Sequence, residues 1–309
     1  MADHDTKGVP VLRFGVFGTG HWAAKTHAAA LDAHPRAELA GVWGRDPAKA
    51  AALADRHGVP AYTDADALIE AVDAVSVALP PDVQADIAYR AATAGRHLLL
   101  DKPLALTLAD ADRVVAAAGQ SGVASVVFFT GRFHPDVAAF LASTAAAGGW
   151  HTAHAVRYGS VLQPGSPYHN SAWRHQHGAL WDLGPHALSI LLPVLGRVTR
   201  VAAMDGARGV VNLLLTHDGG ATSTVSLTLE APPDAIGRDT VFYGENGVET
   251  APPGDGSSLT AFGVAIDQLL EEIDAGTRDH RCDVRFGREV VAVLTAAETA
   301  RATGRTVDA

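Results

Sequence analysis

Cysteine is nearly absent: Cys282 is the single one among 309 residues, so no disulfide can form within the chain. Basic clusters are missing as well. With a net charge of −10 and no block of Lys or Arg, the chain lacks the electrostatic grip that nucleic acid or an anionic membrane surface requires. No stretch approaches the roughly eighteen uninterrupted apolar residues of a membrane span, because Asp, Arg and His break the Ala-rich runs at helical spacing. The opening Met-Ala-Asp-His-Asp-Thr-Lys has no apolar h-region, and with the lone cysteine it gives the expectation of a cytoplasmic address. What is present is ordinary for a globular protein: 48% of residues are hydrophobic and 19% charged, enough for a large core and two domains.

The first third alternates short apolar runs with Ala-rich helical ones: Leu12 to Phe17, Glu38 to Trp43, Val75 to Leu79 and His97 to Leu100, with helices between. That order predicts a doubly wound parallel sheet covered on both faces. The first strand runs into Gly18-Thr19-Gly20-His21-Trp22-Ala23, where the glycines permit a tight turn and bring backbone against a pyrophosphate at a helix N-terminus. The second strand ends at Gly44-Arg45-Asp46-Pro47. Asp46 fits the N-cap of the next helix with Pro47 at its first position, so no acid is left for a ribose hydroxyl. Arg45 is suited to a 2′-phosphate, and NADP is preferred over NAD. Leu79, Pro80, Pro81 and Asp82 form a rigid loop on the ligand edge, a wall for the nicotinamide end. Asp101-Lys102-Pro103 follows the fourth run, so a lysine stands where ligands gather at the carboxyl ends of parallel strands, held extended by the proline.

After about Gly131 the pattern changes to longer strands of period two, His151 to Tyr158, Val210 to Thr216 and Ala221 to Glu230, which predict an antiparallel sheet in an α+β domain. Thr222, Thr224, Ser226 and Thr228 fall on one face of the last strand and Val225, Leu227 and Leu229 on the other. The first face is open for a partner subunit. Pro185 fits the first position of a helix that buries Leu188, Leu191, Leu192 and Leu195 and stops at Gly196. His186 then lies in a first turn, where the helix dipole disfavours its charge and Asp182 favours it. Val264 to Ala275 and Glu289 to Ala302 read as closing helices. The histidine spacings, including His151 with His154 and His175-Gln176-His177, do not assemble a metal site, and no metal is expected.

These segments resemble the glucose–fructose oxidoreductase, inositol dehydrogenase and MocA-like (Gfo/Idh/MocA) family. The resemblance runs through Gly18-Thr19-Gly20 with His27 downstream, Asp73 to Pro80, Ala94-Gly95-Arg96-His97, Asp101-Lys102-Pro103 and Arg132-Phe133-His134-Pro135. It continues through Ser171-Ala172-Trp173-Arg174, Gly178 to His186 and Ala300 to Arg305. It implies a Rossmann domain over 8–131 and a substrate and oligomerisation domain over 132–309 with a large, mostly antiparallel open sheet. It further implies hydride exchange between NAD(P) and a secondary alcohol or carbonyl of a sugar, cyclitol or related polyol, in a homodimer or homotetramer. In that scheme His186 is the acid/base, Lys102 holds the reacting oxygen and Asp182 orients the histidine or the substrate hydroxyl. Gly18, Thr19, Gly20, His21, Trp22, Arg45, Leu79, Pro80, Asp101 and Lys102 would meet the cofactor. Arg157, Trp173 and His175 join the three central residues at the substrate, with Tyr158 and His177 nearby. The chain departs from the family at Asp101, usually glutamate, at Gln84, often histidine, and at Ser189, often aspartate. The segment from Tyr158 to Gly178 is also short. Two other readings stay open: a non-catalytic nucleotide-binding regulator, and a reductase of a dihydrodiol or imine.

Overall fold

The structure, a computed structural model, describes residues 11–254 and 256–309. The opening segment and residues 8–10 of the expected nucleotide domain lie outside the described residues.

Six parallel strands form the first sheet in the order β3-β2-β1-β4-β5-β6: β1 Leu12–Phe17, β2 Ala37–Trp43, β3 Ala61–Tyr62, β4 Ala74–Val77, β5 His97–Asp101 and β6 Ser125–Phe128. Leu98, Leu99 and Leu100 are fully buried, as continuous apolar runs must be when helices cover both faces. The first crossover opens as a π-helical stretch, Ala23–Ala28, that continues as α1 Ala29–Ala33. α2 is Pro47–His57, and the Asp46 carboxylate accepts from the amides of Ala48 and Lys49, the cap expected of it. α3 Ala65–Ala71, α4 Pro81–Thr93 and α5 Leu108–Ser121 complete the crossovers. β4 ends at Val77 rather than Leu79, and Pro81 and Asp82 begin α4 instead of lying in a loop, because a proline at the first helical position lacks only an amide that would be unpaired anyway.

A 3-10 turn at Thr130–Phe133 and α6 Pro135–Ala147 lead into the second sheet. Its seven strands run β12-β11-β7-β10-β9-β8-β13. They are β7 Trp150–Tyr158, β8 Val198–Asp205, β9 Val211–His217, β10 Thr222–Thr228, β11 Thr240–Gly244, β12 Gly247–Thr250 and β13 Val307–Asp308. All pairings are antiparallel except the central β7–β10 pair. One face packs on α7, Ala172–Leu195. α7 is the one helix among the described residues long and apolar enough to cross a bilayer, but it is largely buried in the protein and broken at Gly178.

Two helices, α8 Ser258–Ala275 and α9 Val284–Thr303, close the chain. Both begin earlier than the apolar pattern indicated, with Ser257 and Asp283 as caps. They also return to the first sheet. Phe262 lies 4.2 Å from the His27 ring, Arg36 pairs with Asp274 at 2.7 Å, and Arg288 pairs with Asp112 at 2.8 Å. A division at 131/132 therefore separates the sheets but not the helices that cover them.

Candidate active site

Gly18 follows β1 with φ 134°, and a Cβ there would stand 2.4 Å from the Ala78 carbonyl oxygen, so only glycine lets the chain turn at this point. At Gly20 the space a Cβ would take is empty to 4 Å. An open pocket of backbone at the start of a helix is what a pyrophosphate needs, and these residues fit a dinucleotide. His21 meets the edge of Tyr168 at 5.9 Å, and Trp22 leans on Phe128 at 6.5 Å. At the end of β2, a Cβ on Gly44 would fall 2.5 Å from Thr19 Cγ2, so a carboxylate is not accommodated there without displacing Thr19. Arg45 beside it is exposed.

The Asp101-Lys102-Pro103 corner is held from below. Gln84 Nε2 donates to the carbonyls of Asp101 (2.7 Å) and Pro103 (2.9 Å), and its Oε1 accepts from the Asp101 amide (3.0 Å). The Lys102–Pro103 bond is cis. The Lys102 amide donates to Asp101 Oδ1 at 2.7 Å. Burial pushes the Asp101 carboxyl up to about 6 against the pull of Lys102. Behind it lies His27, fully buried, sharing a 2.9 Å hydrogen bond with Ser76 Oγ while its Nε2 stops 3.9 Å from Asp101 Oδ2. Burial pushes His27 down to about 3, so it is neutral.

Lys102 reaches across to the second half of the molecule. Its Nζ donates to the main-chain oxygen of Asp182 (2.7 Å) and to Asp182 Oδ1 (2.9 Å). Arg174 completes the cluster, its Nε donating to Asp182 Oδ2 at 2.9 Å. Burial alone would raise the Asp182 carboxyl, but Lys102 and Arg174 outweigh it and hold it well below the usual carboxylate range. His186 lies one turn further along α7, and burial, reinforced by Lys102, drives its pKa well below the ordinary value. An ammonium, a carboxylate and a neutral imidazole are thus gathered at the junction of the two sheets.

One expectation about this helix is corrected. Pro185 lies inside α7, not at its first position, because the helical run after the break resumes at Ala179. His186 consequently owes its neutral form to burial rather than to a helix N-terminus. The Asp182 oxygens accept from Lys102 and Arg174, so the carboxylate holds the lysine; the part expected of it was to orient the histidine or the substrate hydroxyl.

Arg174 is the site residue that spacing concealed. Eight residues of unbroken helix rise about 12 Å, beyond an arginine's reach to Asp182. The break at Gly178 (φ 66°, ψ −160°) folds the first turns back and makes the contact. The glycine itself is the signal that was available. The guanidinium carbon lies over the Tyr168 and Trp173 rings, 4.4 and 4.8 Å from their centroids.

In front of His186 is a cavity of about 400 Å³ that Trp22, Thr130, His134, Arg157, Tyr158 and Arg238 help to line. Arg157, expected at the substrate, lines this cavity with His186. His175 does not: it is exposed, its Nε2 donates to the His169 carbonyl (2.6 Å), and with His177 it borders a separate cleft of about 250 Å³ next to Glu230 and Arg301. Thr130, His134 and Arg238 were not anticipated as site residues, since Arg238 comes from a segment far in sequence from the one that carries the other two. Among the described residues no three His, Cys, Asp or Glu side chains are placed to hold a metal ion.

Comparison with known proteins divides the chain at the same place as the sheets. Residues 12–129 match a family profile described as oxidoreductase family, NAD-binding Rossmann fold, and residues 147–248 match the GFO/IDH/MocA C-terminal domain. D-xylose 1-dehydrogenase (NADP(+)) 2 of Haloferax volcanii is 29% identical over 72% of this chain and 70% of its own length. The dTDP-3,4-didehydro-2,6-dideoxy-α-D-glucose 3-reductase of Streptomyces violaceoruber is 32% identical over 66% of this chain, and the match spans 62% of that protein, under two thirds of it. Among solved structures, GenD2 from gentamicin A biosynthesis in complex with NAD superposes with a TM-score of 0.84 at 24% identity, covering 97% of both chains. Levoglucosan dehydrogenase with NADH and levoglucosan gives 0.83 at 20% identity, covering 96% of this chain and 98% of that one. At those identities the likeness is one of fold.

Proposed function

The chain belongs to the Gfo/Idh/MocA oxidoreductase family, and from that premise we propose that it is an NAD(P)-dependent dehydrogenase acting on a secondary alcohol of a sugar, cyclitol or related polyol. The observation that carries the reading is the contact of Lys102 with Asp182 one helical turn before a buried, neutral His186. A bound nicotinamide supplies the carbon that accepts or returns the hydride. His186 takes the proton of the substrate hydroxyl, a role open to it because its nitrogen is unprotonated at neutral pH. Of the three N–H groups on Lys102 Nζ, two donate to Asp182, and the third is free to meet the substrate oxygen and stabilise its developing charge. Asp182 and Arg174 are positioning residues for that ammonium.

NADP is the proposed cofactor. Supporting it are the absence of room for an acid at Gly44 and the exposed Arg45 beside it, together with the NADP(+) in the name of the xylose dehydrogenase. A homo-oligomer through the open sheet face is proposed on the exposed Leu214, Met204 and Tyr243 there, and a cytoplasmic address on the single, buried, unpaired Cys282.

Nicotinamide absorbance, followed with NADP⁺ or NAD⁺ over a panel of pentoses, hexoses and cyclitols, tests the reading. Turnover of at least one polyol is expected, with Lys102→Ala lowering kcat by roughly 10²- to 10⁴-fold while NADPH still binds by fluorescence. Near-normal kcat in that variant would remove Lys102 from the chemistry. Binding of NADPH without turnover of any polyol would instead favour a nucleotide-binding regulator.

A further inference from the structure

The wall of the His186 cavity carries charge of one sign. Arg157 and Arg238 both line it, and among its described lining residues there is no aspartate or glutamate. The chain as a whole has 34 acidic residues against 24 basic ones, so an acid-free wall with two guanidinium groups runs against its composition. Arg157 is fixed in place: Nη1 donates to the carbonyls of Val156 (2.8 Å), Arg238 (2.8 Å) and Asp239 (3.0 Å), and Nη2 to Thr240 Oγ1 (2.9 Å). Every one of those acceptors is neutral. They orient the cation, and the one carboxylate that acts on it, Asp239, is exposed and does not line the cavity. Arg238 stands at the exposed end of the same wall, with no ion pair to its side chain among the described residues. A guanidinium held against a cavity without a carboxylate is unfavourable until something else brings the negative charge. The pyrophosphate of the dinucleotide has its own seat at the Gly18 to Gly20 turn, which leaves this pair for the substrate.

We propose that the substrate is a polyol bearing an anionic group, a carboxylate or a phosphate, seated against Arg157 and Arg238 while its carbinol carbon faces His186. The proposal rests on the dehydrogenase reading above and narrows its substrate class.

Matched pairs test it: galactose against galacturonate, and glucose against glucose 6-phosphate, each with NADP⁺ and NAD⁺. An anionic member should exceed its neutral partner in kcat/KM by about tenfold or more, with an advantage that shrinks as salt is added. Which pair responds separates a sugar acid from a sugar phosphate. Arg238→Ala should lower the anionic-to-neutral ratio by about tenfold, and Arg238→Lys should keep most of it. Arg157 is the poorer variant, because its loss also unties three carbonyls. Asp255, between the lining Gly254 and Gly256, lies outside the described residues; Asp255→Asn should leave the ratio within about twofold.

Neutral sugars turned over as well as or better than their anionic partners would overturn the proposal. So would a ratio unmoved by Arg238→Ala, or a tenfold rise in Asp255→Asn, which would make Asp255 the arginines' counter-ion. Thermal shifts of the protein with galacturonate and glucose 6-phosphate keep the two readings apart. Arg238-dependent stabilisation by an anion without any turnover would sustain the anion site and sink the dehydrogenase. Turnover of neutral sugars with no anion stabilisation would do the reverse.

Discussion

Asp101 is an ionisable group placed where ionisation is unfavourable. Its carboxyl is raised from an ordinary value of 3.8 to about 6, chiefly by burial, even though Lys102 adjoins it. A carboxyl raised in the folded state contributes stability that is complete below its unfolded pKa and is lost as pH rises through the folded one. The window is therefore about pH 4 to 6, and above it the charged form costs roughly 3 kcal/mol. Asp101→Asn keeps an acceptor for the Lys102 amide and removes the charge. Denaturant titrations should find the variant more stable than the natural protein at pH 7 by an amount that vanishes near pH 4. A difference constant across that range would mean that Asp101 does not titrate there. At this scale much of the site was legible in the sequence. Lys102 stands at a strand end and Asp182 precedes His186 by four residues, all local facts. Arg174, Arg238 and His134 were not, because their relevance depends on chain segments that meet only in the folded molecule.

The decisive element is α7, whose first turns and body are distinct helical runs joined at Gly178. Its apolar spacing predicted the buried Leu188, Leu191, Leu192 and Leu195 correctly, yet that spacing does not say where a helix breaks, and it assigned the start to Pro185. A glycine inside a helical pattern marks a break only when its backbone leaves the helical region, and that follows from packing at either end. The break has a purpose in geometry, since it brings Arg174 to the carboxylate that holds Lys102. Gly178→Ala meets no atom within 4 Å, so its cost is conformational alone, about 1–3 kcal/mol for a left-handed φ of 66°. The variant should melt lower and lose kcat more than nucleotide affinity, because the strain falls on the Arg174–Asp182 contact rather than on the glycine turn. Unchanged kcat with a lowered Tm would show that the ion cluster tolerates a displaced Arg174.

The two sheets are joined by helices that pass from the second back to the first. Val127 donates to the Cys282 carbonyl at 2.7 Å, and α9 lies against both α5 and β8. Periodicity placed both sheets but not this return, because a helix's apolar stripe does not name the surface it will cover. With α7 on one face of the second sheet, the opposite face is left outward. Neighbouring strands there present Tyr243, His154, Thr224, Leu214 and Met204, with Leu214 52% and Met204 72% exposed. The alternation of β10 foretold that outward row, and hydroxyls and apolar groups without clustered charge suit a self-complementary contact. In a two-fold contact each substitution acts twice, so Leu214→Lys sets two ammonium groups against an apolar patch. Light scattering coupled to size exclusion should give a multiple of the 32.0 kDa chain mass for the natural protein and the single mass for the variant. The site lies on the other face of the sheet, and the variant should keep its fold by circular dichroism. A natural protein of single-chain mass, or a variant that keeps the larger one, would move the contact elsewhere or remove it.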